Sequence, residues 1–254
     1  MPWTLPEHEH RRFERNTIAL TVAQLRFHPI LRIRDRLSEF QEQIRARYPG
    51  YREQKVKDVL VEPGGIRVGE QEQFQFLTDD FSATVSLGSD ALSLENRRHE
   101  HHENFIEDFK VGLDALQGVF SPISPTRLGF RYINSIDREK ISKDLGRKLE
   151  WVDLIQPEFL KIPGNLASLE GTRYSSEITS SLGDGAMTVR HGILVTAPGS
   201  ERVHFRLDVD RYTQEPFEPD ATLEMLKNFA SDIHSIFISA AGEGLLEWMK
   251  EQGD

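Results

Sequence analysis

The sequence predicts an α+β fold: antiparallel sheet with helices packed on one face, in two pseudo-repeated β-α-β(3-4)-α halves of the saddle or helix-grip kind. Three observations predict it. A strongly alternating stretch, Arg202-Val-His-Phe-Arg-Leu-Asp-Val-Asp-Arg-Tyr212, leads through a Pro-containing turn into a long amphipathic pattern. Four short β-like segments between residues 55 and 97 are separated by turn residues. The order strand, helix, several strands, helix occurs twice. The halves are read as 17–124 and 125–254, packed as one compact unit, after a flexible arm over 1–16.

Residues 18–27 are β-rich and bounded by Pro29, which marks a strand. Ile30, Ile33, Leu37, Phe40 and Ile44 then recur at spacings of 3 and 4, one face of a helix. Tyr48-Pro49-Gly50 ends that helix, because Pro49 disfavours helical geometry at Tyr48 and Gly50 can take positive φ. Segments 55–62, 72–78, 81–87 and 91–97 read as a meander with turns at Gly64-Gly65, Asp79-Asp80 and Gly88-Ser-Asp90. The alternation at Phe74, Phe76, Val85 and Leu87 predicts one buried and one wet sheet face. A second helix is expected to open at Asn104 with Glu107 completing a capping box. Phe105, Phe109, Leu113, Leu116 and Phe120 form its buried stripe.

The second half opens with a strand over 128–137, followed by short helical pieces around Trp151–Phe159. Strands over 172–182, 186–197 and 202–212 are separated by turns at Gly183-Asp-Gly185 and Pro198-Gly199. Asp220 is the expected N-cap of the last long helix. Its stripe is Leu223, Leu226, Ala230, Ile233, Phe237 and Ala240. Gly242 and Gly244 interrupt it before a short helix over Leu245–Met249.

Composition narrows the function. With 254 residues, 38% hydrophobic and 28% charged, the chain is long enough to bury a substantial core. It has no cysteine, so disulfides and thiolate zinc sites are excluded and a cytoplasmic home is expected. The N-terminus has neither a basic n-region nor an apolar h-region, so no signal peptide is expected. No run of about 18 apolar residues predicts a membrane helix. The formal net charge of −10 argues against nonspecific nucleic-acid binding. Residues 1–60 nonetheless carry +4 and the remainder −14, a contrast that suits a protein partner at least as well as a nucleic acid.

Several residues qualify as sites. Asp208 and Asp210 alternate with Leu207 and Val209, so both carboxylates leave one sheet face, shared with His204, Arg206 and Tyr212. Two carboxylates on one face can hold a divalent cation or act as acid and base. The competing reading is a cross-strand ionic ladder with Arg131 or Arg206. Arg131, Asn134 and Asp137 could form a further polar patch, or serve the strand's exit turn. His99, His101 and His102, flanked by Glu100 and Glu103, could supply two imidazoles from one strand face to a metal, with His8 or His10 adding a ligand. The competing reading is a solvated loop. His234, beside an apolar stripe, reads as a half-buried, hydrogen-bonded histidine. Arg32, Arg34, Arg36, Arg45 and Arg47 are interleaved with Asp35, Glu39 and Glu42, the pattern of a solvated helix face. No G-x-S-x-G elbow, phosphate loop or dinucleotide fingerprint is present.

The strand Gly129-Phe-Arg-Tyr-Ile-Asn-Ser-Ile-Asp137 resembles the G-x-R-Y-I-N-x-I-D hallmark of a sporadically distributed family of uncharacterised prokaryotic proteins. Phe205-Arg-Leu-Asp-Val-Asp-Arg-Tyr212 resembles that family's second hallmark, an L-D-I-D strand. The helix bearing His234 and Phe237 and the early helix closing on Tyr48-Pro49 are also similar, so the resemblance runs from about residue 17 to 250. It implies no transferable activity. The family's patchy occurrence implies accessory genes, such as defence or toxin–antitoxin modules. The family often has an aromatic residue where this chain has His101-His102, which argues against a family-wide histidine site.

The expectation is therefore a non-enzymatic cytoplasmic binding or adaptor module, engaging a protein partner or a small ligand through a concave sheet or groove. It needs no cofactor. The second reading is a metal-dependent hydrolase or nuclease that holds a divalent metal on Asp208 and Asp210. Nucleic-acid binding by the basic first helix ranks last, because of the acidic total.

Overall fold

The structure, a computed structural model, describes residues 11–62, 65–160, 173–195, 203–213 and 215–251. In chain order the elements are β1 (Ile18–Phe27), α1 (Leu37–Ile44), β2 (Gly50–Glu62), β3 (Gly65–Leu77), β4 (Ala83–Gly88), β5 (Ala91–Asn96) and α2 (His102–Phe120). There follow β6 (Pro125–Ile136), α3 (Arg138–Leu145), α4 (Trp151–Leu154), β7 (Tyr174–Leu182), β8 (Gly185–Val195), β9 (Val203–Thr213), α5 (Thr222–Ala240) and α6 (Glu243–Met249). The strands hydrogen-bond in the order β2-β3-β4-β5-β1-β6-β9-β8-β7, an antiparallel open sheet. The α+β class expected from the sequence is what the chain adopts. The expected turns at Gly64 and at Pro198-Gly199, the residues His8 and His10, and most of the N-terminal arm lie outside the described residues.

Two compact units are each assembled from separated segments. One comprises Leu20–Phe130 and Tyr212–Lys227; the other comprises Met1–Ala19, Arg131–Arg211 and Asn228–Asp254.

In the first unit the meander registers its apolar residues across strands. Phe76 pairs with Val85, Val85 with Leu94 and Leu94 with Ala23, while Phe74 pairs with Leu87, Leu87 with Leu92 and Leu92 with Leu25. All eight are buried. α1 and α2 cover this face: Phe40 meets Phe76 at 5.4 Å between ring centroids, Phe105 stacks on Phe130 at 5.4 Å, and Gly112 lies against Val85 and Leu92. The opposite face carries the polar residues Gln73, Gln75, Ser86 and Ser93, but Gln75, Ser86 and Ser93 are buried, so it is not the wet face that the alternation predicts.

Element starts depart from expectation where long-range hydrogen bonds compete with local pattern. α1 begins at Leu37, because His28 N–H bonds Ser124 O at 3.1 Å and Ile30 N–H bonds Ser89 O at 2.8 Å, which holds that stretch out of a helix. Leu31 is left 94% exposed. Gly50 takes no positive φ; it is the first residue of β2, where an added Cβ would sit 3.2 Å from Leu77 Cβ. β4 begins at Ala83, two residues later than expected, after Phe81 turns at φ 56°. α2 starts at His102, so Asn104 lies in its first turn and makes no capping box; its amide instead donates to Glu100 at 3.4 Å. Asp220 belongs to a 3-10 turn, Pro219–Ala221, that precedes α5, and Thr222 Oγ1 donates to Pro219 O at 2.6 Å.

In the second unit β7 and β8 form a hairpin from Tyr174↔Ile193 to Leu182↔Gly185. Gly192 is required there, since a Cβ would fall 2.1 Å from Tyr174 O. Asp137 caps α3 by accepting Lys140 N–H at 3.0 Å, the exit-turn role expected of it. The C-terminal part of α5 buries Phe229, Ala230, Ile233, Ile236, Phe237 and Ala240. α6 follows at Gly242, where any side chain would collide with Asp153 O at 2.6 Å. Trp248 of α6 is anchored by Nε1–H to Asp144 at 2.9 Å.

Candidate functional site

β9 inherits its chemistry from its alternation. Phe205, Leu207, Val209 and Arg211 are buried on one side, while His204, Arg206, Asp208 and Asp210 leave the other. Asp208 has no exposed surface. Arg131 donates Nε–H and Nη2–H to its two oxygens, each at 2.6 Å, and Arg206 donates to Oδ2 at 2.8 Å. The Asp208 carboxylate holds the Arg131 guanidinium above its ordinary pKa, and Asp210 adds to the same effect. Arg131 of β6 thus gives Asp208 a cross-strand ion pair, and Arg206, two residues away on the same strand, adds a second partner. Farther along the same face His204 places Nδ1 2.7 Å from Ser135 Oγ and Nε2 3.2 Å from Asp137.

Asn134 does not join that patch. Its position in β6 sends it to the opposite side from Arg131 and Asp137. It is buried there, accepting Thr17 Oγ1–H at 2.9 Å and donating to Leu207 O at 3.4 Å.

The histidine cluster is not a strand. β5 ends at Asn96, whose side chain captures Arg98 N–H at 2.6 Å and turns the chain, so His99 and His101 share no strand face. His99 is drawn inward, with Nδ1 2.9 Å from Thr21 Oγ1. Burial first, then the neighbouring His102 and His101, push its pKa down to about 4. His101 precedes α2 and His102 opens it, 3.3 Å from Glu103. Among the described residues, no group of three or more His, Asp or Glu is placed to hold a metal. His234 is half-buried and accepts Arg11 N–H at 3.3 Å, as read from the sequence.

An apolar concavity in the second unit lies elsewhere. A cavity of about 250 Å³ opens over one face of the β7–β8 hairpin. β7 contributes Ile178, Ser180 and Leu182; β8 contributes Met187, Val189 and His191. The 3-10 turn Pro157–Leu160 adds Phe159, and α5 adds Ile236. The register explains the convergence: Ile178 pairs with Val189 and Ser180 with Met187, so their side chains rise together. The lining is largely apolar, and its polar residues are Glu158 from the 3-10 turn, Ser180 and His191. His191 is 8% exposed, stands edge-on to Phe159 at 5.3 Å, and has an Nδ1 without a hydrogen-bond partner. Burial lowers its pKa, so the ring is neutral, and the Phe159 carbonyl opposes that shift.

No family model and no curated protein matches the chain.

The cavity residues were within reach of the sequence, since Met187, Val189 and His191 continue one alternation across β8. What hid them was the convergence of Phe159 and Ile236 from distant positions. Arg211 was missed for a similar reason. It sits on the buried side of β9, 3% exposed, donating to Asp232 at 2.9 Å and to Asp184, with its guanidinium 4.6 Å from the Phe229 ring centroid.

Proposed function

We propose that this protein is a non-enzymatic binding module whose recognition site is the apolar cavity of the β7–β8 hairpin. The observation that carries the reading is the cavity itself: about 250 Å³, largely apolar in its lining, with a neutral His191 imidazole buried in its wall and Glu158 and Ser180 as its other polar residues. Such sites gain affinity from burial of apolar surface and orientation from a few polar groups. Scaled from a 150 Å³ cavity that takes benzene, the space suits an apolar group of roughly ten non-hydrogen atoms. The engagement of both Asp208 oxygens by arginines supports binding over metal-dependent hydrolysis at that strand.

The element order supports two pseudo-repeated halves of the helix-grip kind, with β7–β9 standing in the second half where β2–β5 stand in the first. The two hallmark-like strands support kinship with the uncharacterised prokaryotic family, and with it an accessory role of the defence or toxin–antitoxin type. No helix among the described residues is long and apolar enough to cross a membrane.

The test uses the neutral fluorophore 1-aminonaphthalene, whose single fused ring system matches that size. Saturable blue-shifted emission at one site per chain is expected, and Ser180→Trp, which fills the cavity from β7, abolishes it while the melting temperature holds. Absence of saturable binding to the unaltered chain, or binding indifferent to Ser180→Trp, overturns the reading.

A further inference from the structure

We propose that β7 is also an interface strand, through which two copies of this chain pair edge to edge, antiparallel, about a two-fold axis at Ile178. This goes beyond the cavity reading and rests on different atoms. β7 ends the hydrogen-bonded order and pairs with β8 alone among the described strands. Every second residue of such a strand turns its amide and carbonyl outward, a ready template for another strand. Native proteins guard such edges with charge. The other terminal strand, β2, carries such charge among its described side chains: Arg52, Glu53 and Lys55. β7 reads Tyr-Ser-Ser-Glu-Ile-Thr-Ser-Ser-Leu, with Glu177 its one charge. Its central Ile178 is 55% exposed.

The sequence of β7 is complementary to itself in one register. With Ile178 opposite its copy, Glu177 faces Thr179, Ser176 faces Ser180, Ser175 faces Ser181 and Tyr174 faces Leu182. Apolar residues meet apolar residues and hydroxyls meet hydroxyls, the pairs that stabilise antiparallel ladders. The axis is perpendicular to the sheet, which keeps the cavity of each copy on the same side and satisfies the self-complementarity that a two-fold interface demands. A slip centred on Glu177 would set two carboxylates face to face. A slip centred on Thr179 would put Ile178 against Ser180 and forfeit the aliphatic contact. In the favoured register the two Glu177 are only diagonal neighbours, and Arg190 of β8 donates to each copy's Glu177 from 2.6 Å. The occupant is a second copy of this chain, because the complementarity is written in β7 alone.

Sedimentation velocity of the full chain across a concentration series tests this. A monomer–dimer equilibrium is expected. Thr179→Glu sets a carboxylate against Glu177 twice per dimer and raises the dissociation constant about tenfold. Thr179→Lys sets an ammonium there instead and leaves the dimer intact or tighter. Thr179 lies on the face away from the cavity, so fluorophore binding persists in both variants. Both lose the same contact, Thr179 Oγ1 to Thr188 Oγ1 at 2.9 Å, so any difference between them reports charge across the interface. A monomer at every concentration overturns the proposal. So does a dimer unaffected by Thr179→Glu, or one weakened equally by Thr179→Lys.

Discussion

Arg131 on β6 and Asp208 on β9 are joined by two hydrogen bonds of 2.6 Å, from a guanidinium to a carboxylate with no exposed surface. Removing a buried partner costs more than the pair contributes, because the remaining charge is stranded. Asp208→Ala should lower stability by about 2–4 kcal/mol in chemical denaturation, less than a fully enclosed pair because Arg131 reaches solvent. Mn²⁺ should leave the melting temperature of the unaltered chain unchanged. A metal-induced rise that disappears in Asp208→Ala would instead identify a cation site.

Arg211 carries its charge where water does not reach, with 4% of its side chain exposed. Burial raises the pKa of its partner Asp232, and Arg211 opposes that rise. Arg211→Met keeps most of the volume and removes the counter-charge. A loss of about 2–4 kcal/mol is expected, and Asp232→Asn in the same chain should recover part of it. A double-mutant cycle that proves additive would show that the two residues act separately.

His99 sets a pH dependence. Its ordinary value is 6.5, and its folded value is pushed down to about 4, mainly by burial beside Thr21, with His101 and His102 adding repulsion and Glu103 attraction. The unfolded chain therefore binds the proton first. The contribution is complete above pH 6.5 and is lost as pH falls through 4, amounting to about 3 kcal/mol. His99→Gln, which retains a hydrogen-bonding group for Thr21, should flatten the stability profile between those limits. An unchanged profile would remove His99 as its source.

Gly192 admits the Tyr174 carbonyl so closely that Gly192→Ala would place a methyl 2.1 Å from that oxygen. The hairpin must shift to relieve it. A stability loss of about 2 kcal/mol or more is expected, with hydrogen exchange faster at β7 amides than in β3–β5. Uniform acceleration across the chain would point to global unfolding instead.

Much of the sheet was legible because alternation is a local signal. The shared face of Phe74, Phe76, Val85 and Leu87 follows directly from it, while the strand at 18–27 is marked by its β-rich composition and the five residues of the α2 stripe by helical spacing. Starts were less legible. Ile30 and Ile33 have helical spacing, yet the Ser89 carbonyl takes the Ile30 amide, and no local pattern reveals a partner 59 residues away. Asn104 has the chemistry of a cap but lies one turn too deep. At the site, parity gave the shared face of His204, Arg206, Asp208 and Asp210, and the same parity argument applied to β6 separates Asn134 from Arg131. Asp208 needed a partner, and the choice between Arg131 and Arg206 proved to be no choice, since both bind it. Arg211 and His191 sit among apolar neighbours in sequence. Their significance arises only when Asp232, Phe159 and Ile236 arrive from other elements.

The discontinuous make-up of the two compact units bears on how the chain matures. Each draws on residues beyond 211: Tyr212–Lys227 for one, Asn228–Asp254 for the other. A nascent chain released before α5 would hold neither unit complete, and no single proteolytic nick can divide the protein into the two. Neither unit can therefore close until residues beyond 211 have left the ribosome, and the early meander waits for pieces made long after it.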